Sequence, residues 1–210
     1  MAKSLLYPRT TSWSVDLVES VLAKETLKLS NIAALVFSIG IMLCARAGAA
    51  DKLIGSAAPE WEVTDWLNSR PLKLKDLRGK VVLVRWWTAP DCPYCKATAP
   101  ALNEFYEKCH DRGLEVIGFY HHKGDDALNP ATVERFSRNF GFKFPVAIDP
   151  DWQTLHRWWL DSHARAWTSV SFLIDRHGIV RHIHPGGQYI KGDKDYATMK
   201  QKIEELLGEE

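Results

Sequence analysis

The 210-residue sequence predicts an α/β fold in which helices cover a mixed central sheet. The near-continuous apolar run Val81–Trp87 contains β-branched residues and is typical of a buried parallel strand, and Leu114–Tyr120 is predicted as a second strand. Two further strands, Val170–Ile174 and Gly178–Ile183, are separated only by a tight turn. Because parallel strands and a hairpin occur in one chain, we expect a mixed sheet.

Helices are predicted between and after these strands. One helix is expected to begin near Pro93, because proline is favoured in the first helical turn, and to stop at Gly113. A second helix is predicted from Asn129 to Gly141, and an amphipathic terminal helix over Asp193–Leu207.

Shorter elements complete the predicted order. Leu72 and Leu74 alternate with lysines, so they predict an initial hairpin or edge strand. Phe144–Ile148 is predicted as a short third strand and Asp151–Leu160 as a short tryptophan-rich helix. The resulting order is β-α-β-α-β-α-β-β-α.

The first fifty residues differ in character from the rest. Ile32–Ala45 is a run of 14 residues without a charge, and it is shorter than the roughly 20 apolar residues that span a bilayer. Lysines precede this run, and small residues with cleavage sites after Ala47 or Ala49 follow it, as in a secretory signal peptide. We therefore predict a signal peptide over residues 1–50 and one domain over residues 51–210. An uncleaved anchor and a buried helix are the alternatives.

The charge balance bears on the possible partners. Lys and Arg total 27 and Asp and Glu total 26, whereas a nucleic-acid-binding domain normally has a basic excess. We therefore expect no nucleic acid as a partner. Export predicts an oxidising, periplasmic location, where the membrane is a partner only through the signal peptide or an uncleaved anchor.

The chemistry that the sequence suggests is concentrated in Cys92-Pro93-Tyr94-Cys95, between a predicted buried strand and a predicted helix. Unpaired N–H groups and the helix dipole stabilise an anion at such a terminus. A thiolate at Cys92 is therefore expected to form below the ordinary thiol pKa of about 8.5. Cys95 lies one turn further along. We predict that Cys92 attacks a disulfide and that Cys95 resolves the mixed disulfide.

Two other interpretations of this pair remain open, namely a structural disulfide and part of a zinc site. A four-cysteine zinc site needs a second pair, and only Cys109, with His110 beside it, remains in residues 51–210. Cys109 shares the apolar face of the predicted helix with Leu102 and Phe105, so we predict a buried core cysteine. No metal and no bound cofactor are predicted.

Several stretches of the sequence resemble one known family. Gly79–Trp87, followed by the Cys92–Cys95 motif and Pro100, resembles the active-site region of TlpA-like periplasmic thiol–disulfide oxidoreductases, which belong to the thioredoxin-like superfamily with a redoxin or AhpC-TSA-type domain. Ser171–Val180 is similar to that family's later hairpin, and Gly55–Pro59 to its opening motif. The resemblance covers most of residues 55–207.

The resemblance implies a fold, an activity and a set of partners. It implies a thioredoxin-like fold, with a mixed central sheet, helices on both faces and an extra strand-helix insertion at Phe144–Leu160. It implies a reductase that acts on thiols and disulfides of exported proteins and is restored by an envelope electron donor. Cys92 and Cys95 would be catalytic. The residues that we expect to line the site are Trp87, Pro93, Tyr94, Thr168 and Ser169.

The chain also departs from the family pattern. The family usually has a cis-proline where Ser169 stands; a cis bond before a non-proline residue costs about 2.5–4 kcal/mol, so we expect a trans bond after Thr168. Thr98 occupies a position where the family often has glutamate. Arg85 occupies the position of a buried aspartate in thioredoxins, and its positive charge would stabilise a thiolate that the neighbouring Asp91 would oppose.

Two other functions compete with the oxidoreductase. A thiol peroxidase shares this fold and usually has the arrangement Pro-x-x-x-Thr-x-x-Cys. In this sequence, Arg85 stands at the proline position and Ala89 at the threonine position before Cys92. A metal-binding or delivery module would combine the cysteine pair with His121 or His122. We predict instead that both histidines are solvated loop residues at the sheet edge.

Overall fold

The computed structural model describes residues 53–162 and 166–209, and the predicted signal peptide over residues 1–50 lies outside them. The described residues form one six-stranded sheet. Its strands are β1 (Trp66–Leu67), β2 (Val81–Trp87), β3 (Leu114–Tyr120), β4 (Val146–Ile148), β5 (Ser171–Ile174) and β6 (Val180–His184). The α-helices are α1 (Pro93–Cys109), α2 (Pro130–Asn139), α3 (Gln153–Leu155) and α4 (Lys194–Gly208).

The sheet is mixed, as the sequence predicts. Its strand order is β1-β4-β3-β2-β5-β6. Strands β2, β3 and β4 run parallel, whereas β1, β5 and β6 each pair in the antiparallel sense with a neighbour. This arrangement confirms the predicted thioredoxin-like α/β architecture.

Strands β2 and β3 form the centre of the sheet. All 7 residues of each strand are buried, which explains why both read as apolar runs and not as alternating patterns. The register pairs Val81 with Leu114 at one end and Trp87 with Tyr120 at the other. Because both strands are parallel, the residues that follow them emerge at the same edge of the sheet.

Helices cover both faces of the sheet. On one face, α1, α2 and α4 pack over the strands, and Cys95, Phe105 and Met199 belong to this buried cluster. On the other face, the residues after β4 pack with Trp86 and Phe172. Helix α3 continues there into a π-helical turn, His156–Leu160. The strand and helix predicted over Phe144–Leu160 are therefore present.

One predicted element is wrong. Leu72 and Leu74 do not form a hairpin or an edge strand; the segment Leu74–Leu77 is a short 3₁₀ helix, and the strand that precedes it, β1, lies at one edge of the sheet. Leu74 and Leu77 are both buried. Side chains three residues apart share a face in a 3₁₀ helix, so this spacing competes with the two-residue spacing of a strand.

Several boundaries shift from the prediction by a few residues. Strand β4 begins at Val146, directly after Pro145, which has no backbone N–H to donate to a neighbouring strand. Helix α2 ends at Asn139, two residues before Gly141, which adopts a left-handed conformation with a φ of 74°. Over residues 53–162 and 166–209, no helix is long and apolar enough to cross a membrane.

Candidate active site

Cys92 and Cys95 are joined by a disulfide at the amino end of α1, with Cα atoms 5.2 Å apart. Cys92 immediately precedes the helix, and Pro93 occupies its first turn. The backbone N–H of Cys95 donates to the sulfur of Cys92 over 3.1 Å. A free N–H group of the first helical turn is therefore directed at the sulfur where negative charge would develop.

The two sulfur-bearing residues differ in exposure. Cys95 is buried, with 2% of its surface accessible, and it belongs to the core cluster beneath α1. Cys92 is half-buried, and Pro93 and Tyr94 beside it are exposed. A substrate can therefore approach Cys92 from solvent, while Cys95 is shielded.

Trp87 lies at the end of β2 and does not face solvent. It is 1% exposed, and its ring packs edge-on against Tyr120 and Phe142, with centroids 5.0 and 5.3 Å away. Trp87 and Cys95 belong to the same buried cluster.

Two aromatic rings connect the segment before β5 to the Cys92–Cys95 motif. Trp167 meets Tyr94 edge-on, with ring centroids 5.2 Å apart. Both rings are open to solvent, since Trp167 is 57% and Tyr94 36% exposed. The structure therefore brings Trp167, which directly precedes Thr168 and Ser169, against Tyr94 of the Cys92–Cys95 motif.

Ser169 is held by a turn after β6. Its hydroxyl oxygen accepts a hydrogen bond from the backbone N–H of Gly187 over 3.0 Å. Gly186 packs so closely against Trp167 that an added side chain would overlap the Cβ atom of Trp167. In the described part of the chain, the cis peptide bond is Ala89–Pro90. The bond between Thr168 and Ser169 is therefore trans, as predicted.

Two polar residues lie buried beneath the site, at the positions where the chain departs from the family. Thr98, on α1, accepts a hydrogen bond from the backbone N–H of Tyr189 over 3.3 Å. Arg85, on β2, donates to Ser171 and to the carbonyl oxygen of Gly187. The roles of Gly187 and Tyr189 were not predictable from local patterns, because each contacts residues far away in the sequence.

The prediction that both histidines after β3 are solvated is wrong for His121. His121 is 0% exposed, and its ring meets that of Trp152 edge-on at 5.0 Å. Burial lowers the pKa of His121 to about 3. His122 is half-buried and contacts the hydroxyl of Tyr120. Within the described ranges, no group of three or more His, Cys, Asp or Glu side chains is arranged to hold a metal ion.

Cys109 is a buried core residue, as the helical spacing predicts. It carries a free thiol and is 5% exposed. Burial raises the pKa of the Cys109 thiol, although Arg112 lies 3.9 Å from its sulfur. Its position near the carboxyl end of α1 separates it from the disulfide at the other end.

Sequence comparisons connect this geometry to known proteins. Residues 54–183 match the AhpC/TSA family. The chain is 33% identical over 166 residues to Protein DipZ of Mycobacterium tuberculosis. This match covers 77% of the chain but only 22% of DipZ. It is 33% identical over 154 residues to the thiol-disulfide oxidoreductase ResA of Bacillus thuringiensis subsp. konkukian, covering 73% of the chain and 76% of ResA.

Solved structures show the same fold. A thiol-disulfide isomerase from Corynebacterium glutamicum superposes with a TM-score of 0.58 at 28% identity, covering 73% of this chain and 98% of that one. The thioredoxin-like superfamily protein SPOA0173 superposes with a TM-score of 0.59 at 26% identity, covering 73% of this chain and 97% of that one.

The fold and the paired cysteines are similar to those of thioredoxin-fold thiol–disulfide oxidoreductases. The chain belongs to the AhpC/TSA family, and its similarity to ResA places it with the TlpA-like members of the thioredoxin superfamily.

Proposed function

We propose that this chain is an exported reductase that uses Cys92 and Cys95 to reduce disulfides of other exported proteins. The observation that carries the proposal is the asymmetry of the pair: the half-buried Cys92 accepts the N–H of Cys95, while Cys95 is 2% exposed. The accessible sulfur is therefore the one that the helix terminus stabilises as a thiolate.

The proposed cycle balances in two exchange steps. The Cys92 thiolate attacks one sulfur of the substrate disulfide; the other substrate sulfur leaves as a thiolate and takes up a proton. Cys95 then loses its proton, its thiolate attacks the sulfur of Cys92, and the second substrate sulfur leaves as a thiolate that takes up a proton. The substrate gains two electrons and two protons, and the protein is left with the Cys92–Cys95 disulfide. A dithiol electron donor of the cell envelope restores the reduced pair, without a bound cofactor.

Cysteine variants of the full chain test these roles. We expect Cys92→Ser to abolish reduction of a protein disulfide such as that of insulin, and Cys95→Ser to accumulate a mixed disulfide through Cys92 that mass spectrometry detects. Cys109→Ala is the matched control, because Cys109 is buried away from the pair, and it should retain turnover. Full activity of Cys92→Ser would refute the mechanism. Faster turnover of hydroperoxides than of disulfides by the unmodified protein would favour the peroxidase alternative.

The periplasmic location is part of the same proposal. It is supported by the uncharged run Ile32–Ala45 and the alanine-rich cleavage sites that follow. The mass of the protein isolated from the periplasmic fraction should correspond to a chain that begins near residue 48 or 50. Recovery of the uncut chain from the membrane fraction would indicate an anchor, and recovery from the cytoplasm would contradict export.

A further inference from the structure

Arg85 places a positive charge inside the core on the disulfide side of the sheet. It is 0% exposed and lies on β2 between Leu83 and Trp87. Side chains two residues apart on a strand point to the same face. Leu83 and Trp87 belong to the buried cluster that contains Cys95, so the Arg85 side chain enters the layer between the sheet and α1.

Neutral groups surround this guanidinium. Its Nη1 atom donates to the Ser171 hydroxyl over 3.2 Å, and its Nη2 atom donates to the Gly187 carbonyl over 2.7 Å. Its Cζ atom lies 5.3 Å from the centre of the Tyr189 ring. Of the carboxylates in residues 53–162 and 166–209, none forms an ion pair with Arg85. Although burial lowers the pKa of Arg85, a guanidinium remains protonated in proteins.

The titratable groups around Arg85 do not neutralise it. Burial raises the pKa of Tyr189, which keeps the phenol neutral. Burial lowers the pKa of His184 on β6 and of His121 beyond β3. Asp195, at the start of α4, lies 3.4 Å from His184, but its side chain is 59% exposed, so water screens its charge. On α1, the residue that contacts Tyr189 is Thr98, and its side chain carries no charge.

Tyr189 connects this charge to the helix that carries the cysteines. Its backbone N–H donates to Thr98, which stands one turn after Cys95 on α1, and its ring lies against Arg85. Tyr189 and Cys95 belong to the same buried cluster. In this layer of low dielectric constant, the field of an unpaired charge is weakly screened, so it extends through the cluster that contains Cys95.

We propose that Arg85 tunes the Cys92–Cys95 pair by stabilising its reduced, thiolate-bearing form and thereby raising its reduction potential. This inference rests on the proposed redox cycle. In the half-reaction, the disulfide takes two electrons from a dithiol donor and one proton, giving one thiolate and one thiol. A positive charge favours the side of this equilibrium that carries the thiolate. Arg85 therefore makes the oxidised protein easier for its donor to reduce than a neutral residue would.

The experiment compares full-length variants in glutathione redox buffers. Arg85→Met removes the charge and retains much of the volume, while Arg85→Gln also retains a donor for Ser171 or Gly187. Ser171→Ala is the matched control, because it removes a hydrogen bond of the same network and leaves the charge. The oxidised fraction of the Cys92–Cys95 pair is read by thiol alkylation and peptide mass spectrometry, which separates it from the other cysteines.

We expect the equilibrium with glutathione to shift at least tenfold towards the disulfide in both charge-removing variants, which corresponds to a potential lower by about 30 mV. Ser171→Ala should stay within threefold of the unmodified protein. Values within threefold for Arg85→Met and Arg85→Gln would overturn the inference. If circular dichroism shows that neither variant folds, Thr98→Glu tests it with Arg85 intact: its carboxylate should shift the equilibrium in the same direction, and an unchanged equilibrium overturns the inference.

The test of Arg85 and the test of the proposed reductase function can fail independently of each other. The potential is measured on the protein and glutathione alone, and it requires no protein substrate. A tenfold shift in a chain that fails to reduce protein disulfides would refute the proposed reductase and support the role of Arg85. Normal reduction of insulin together with an unshifted potential would refute only the role of Arg85.

Discussion

The ring of Trp167 packs edge-on against the ring of Tyr94, with centroids 5.2 Å apart, and joins the segment before β5 to the Cys92–Cys95 motif. The contact is formed by two side chains that remain 57% and 36% exposed. In the proposed cycle, these exposed rings offer apolar surface to a polypeptide whose disulfide reaches Cys92.

Trp167→Ala is expected to weaken the binding of protein disulfides and to spare small ones. Because an aromatic contact of this kind contributes about 0.5–1.5 kcal/mol, KM for insulin should rise about three- to tenfold, with turnover of a small aromatic disulfide unchanged. Steady-state kinetics with both substrates make the comparison. Ile54→Ala, which truncates another exposed apolar side chain, serves as the control. An equal loss with both substrates would contradict a docking role.

Ser169→Ala is expected to loosen the segment that carries Trp167. The substitution leaves the N–H of the half-buried Gly187 without the hydroxyl acceptor at 3.0 Å. Loss of one such bond costs about 1 kcal/mol, so the free energy of unfolding in urea should fall by that amount. Thr168→Ala, one residue earlier and half-buried, is the control, and it should have a smaller effect. Equal stability of Ser169→Ala and the unmodified protein would show that the bond contributes nothing.

His121 is expected to make the protein less stable in mild acid. Its pKa is about 3 in the folded state and about 6.5 when unfolded. Between these values only the unfolded chain binds the proton, so this residue lowers the free energy of unfolding as the pH falls below about 6.5, by up to about 1.4 kcal/mol per pH unit. His121→Phe should flatten this part of the curve, measured by urea unfolding at several pH values. The exposed His177, replaced in the same way, is the control. An unchanged slope in His121→Phe would contradict a neutral buried ring.

Cys109→Ala is expected to affect stability and not catalysis. The side chain is 5% exposed in the layer between α1 and the sheet, and core truncations of this size cost about 1–2 kcal/mol. Urea unfolding should record that loss, while the turnover of insulin stays within twofold. A large loss of turnover at unchanged stability would give Cys109 a part in the chemistry.

Much of this architecture can be predicted from the sequence because its signals are local. The apolar run Val81–Trp87 closely precedes Pro93, the proline in the first turn of α1, and together they place Cys92 at a helix start. The wrong prediction at Leu74 has a local cause too. Three leucines there satisfy both a strand spacing and a 3₁₀ spacing, and only packing decides between them.

The rest of the site depends on contacts between distant residues. The bond from Arg85 to Gly187 spans 102 positions, and the bond from Gly187 to Ser169 spans 18. No local pattern encodes either contact. His121 is buried partly because Trp152, 31 positions later, covers its ring. Its place after a strand indicated a loop, but the residue that shields it from water belongs to another element.

The unequal exposure of the two cysteines affects how long a mixed disulfide with a substrate persists. In the proposed cycle, a captured partner is always attached through the accessible sulfur, and the group that releases it is already within the same helix turn, with the two Cα atoms 5.2 Å apart. Release is then a unimolecular event with a high effective concentration of the second thiol. The lifetime of the covalent complex is therefore set mainly within the complex, by the Cys95 thiolate and by the pKa of the substrate thiol that leaves.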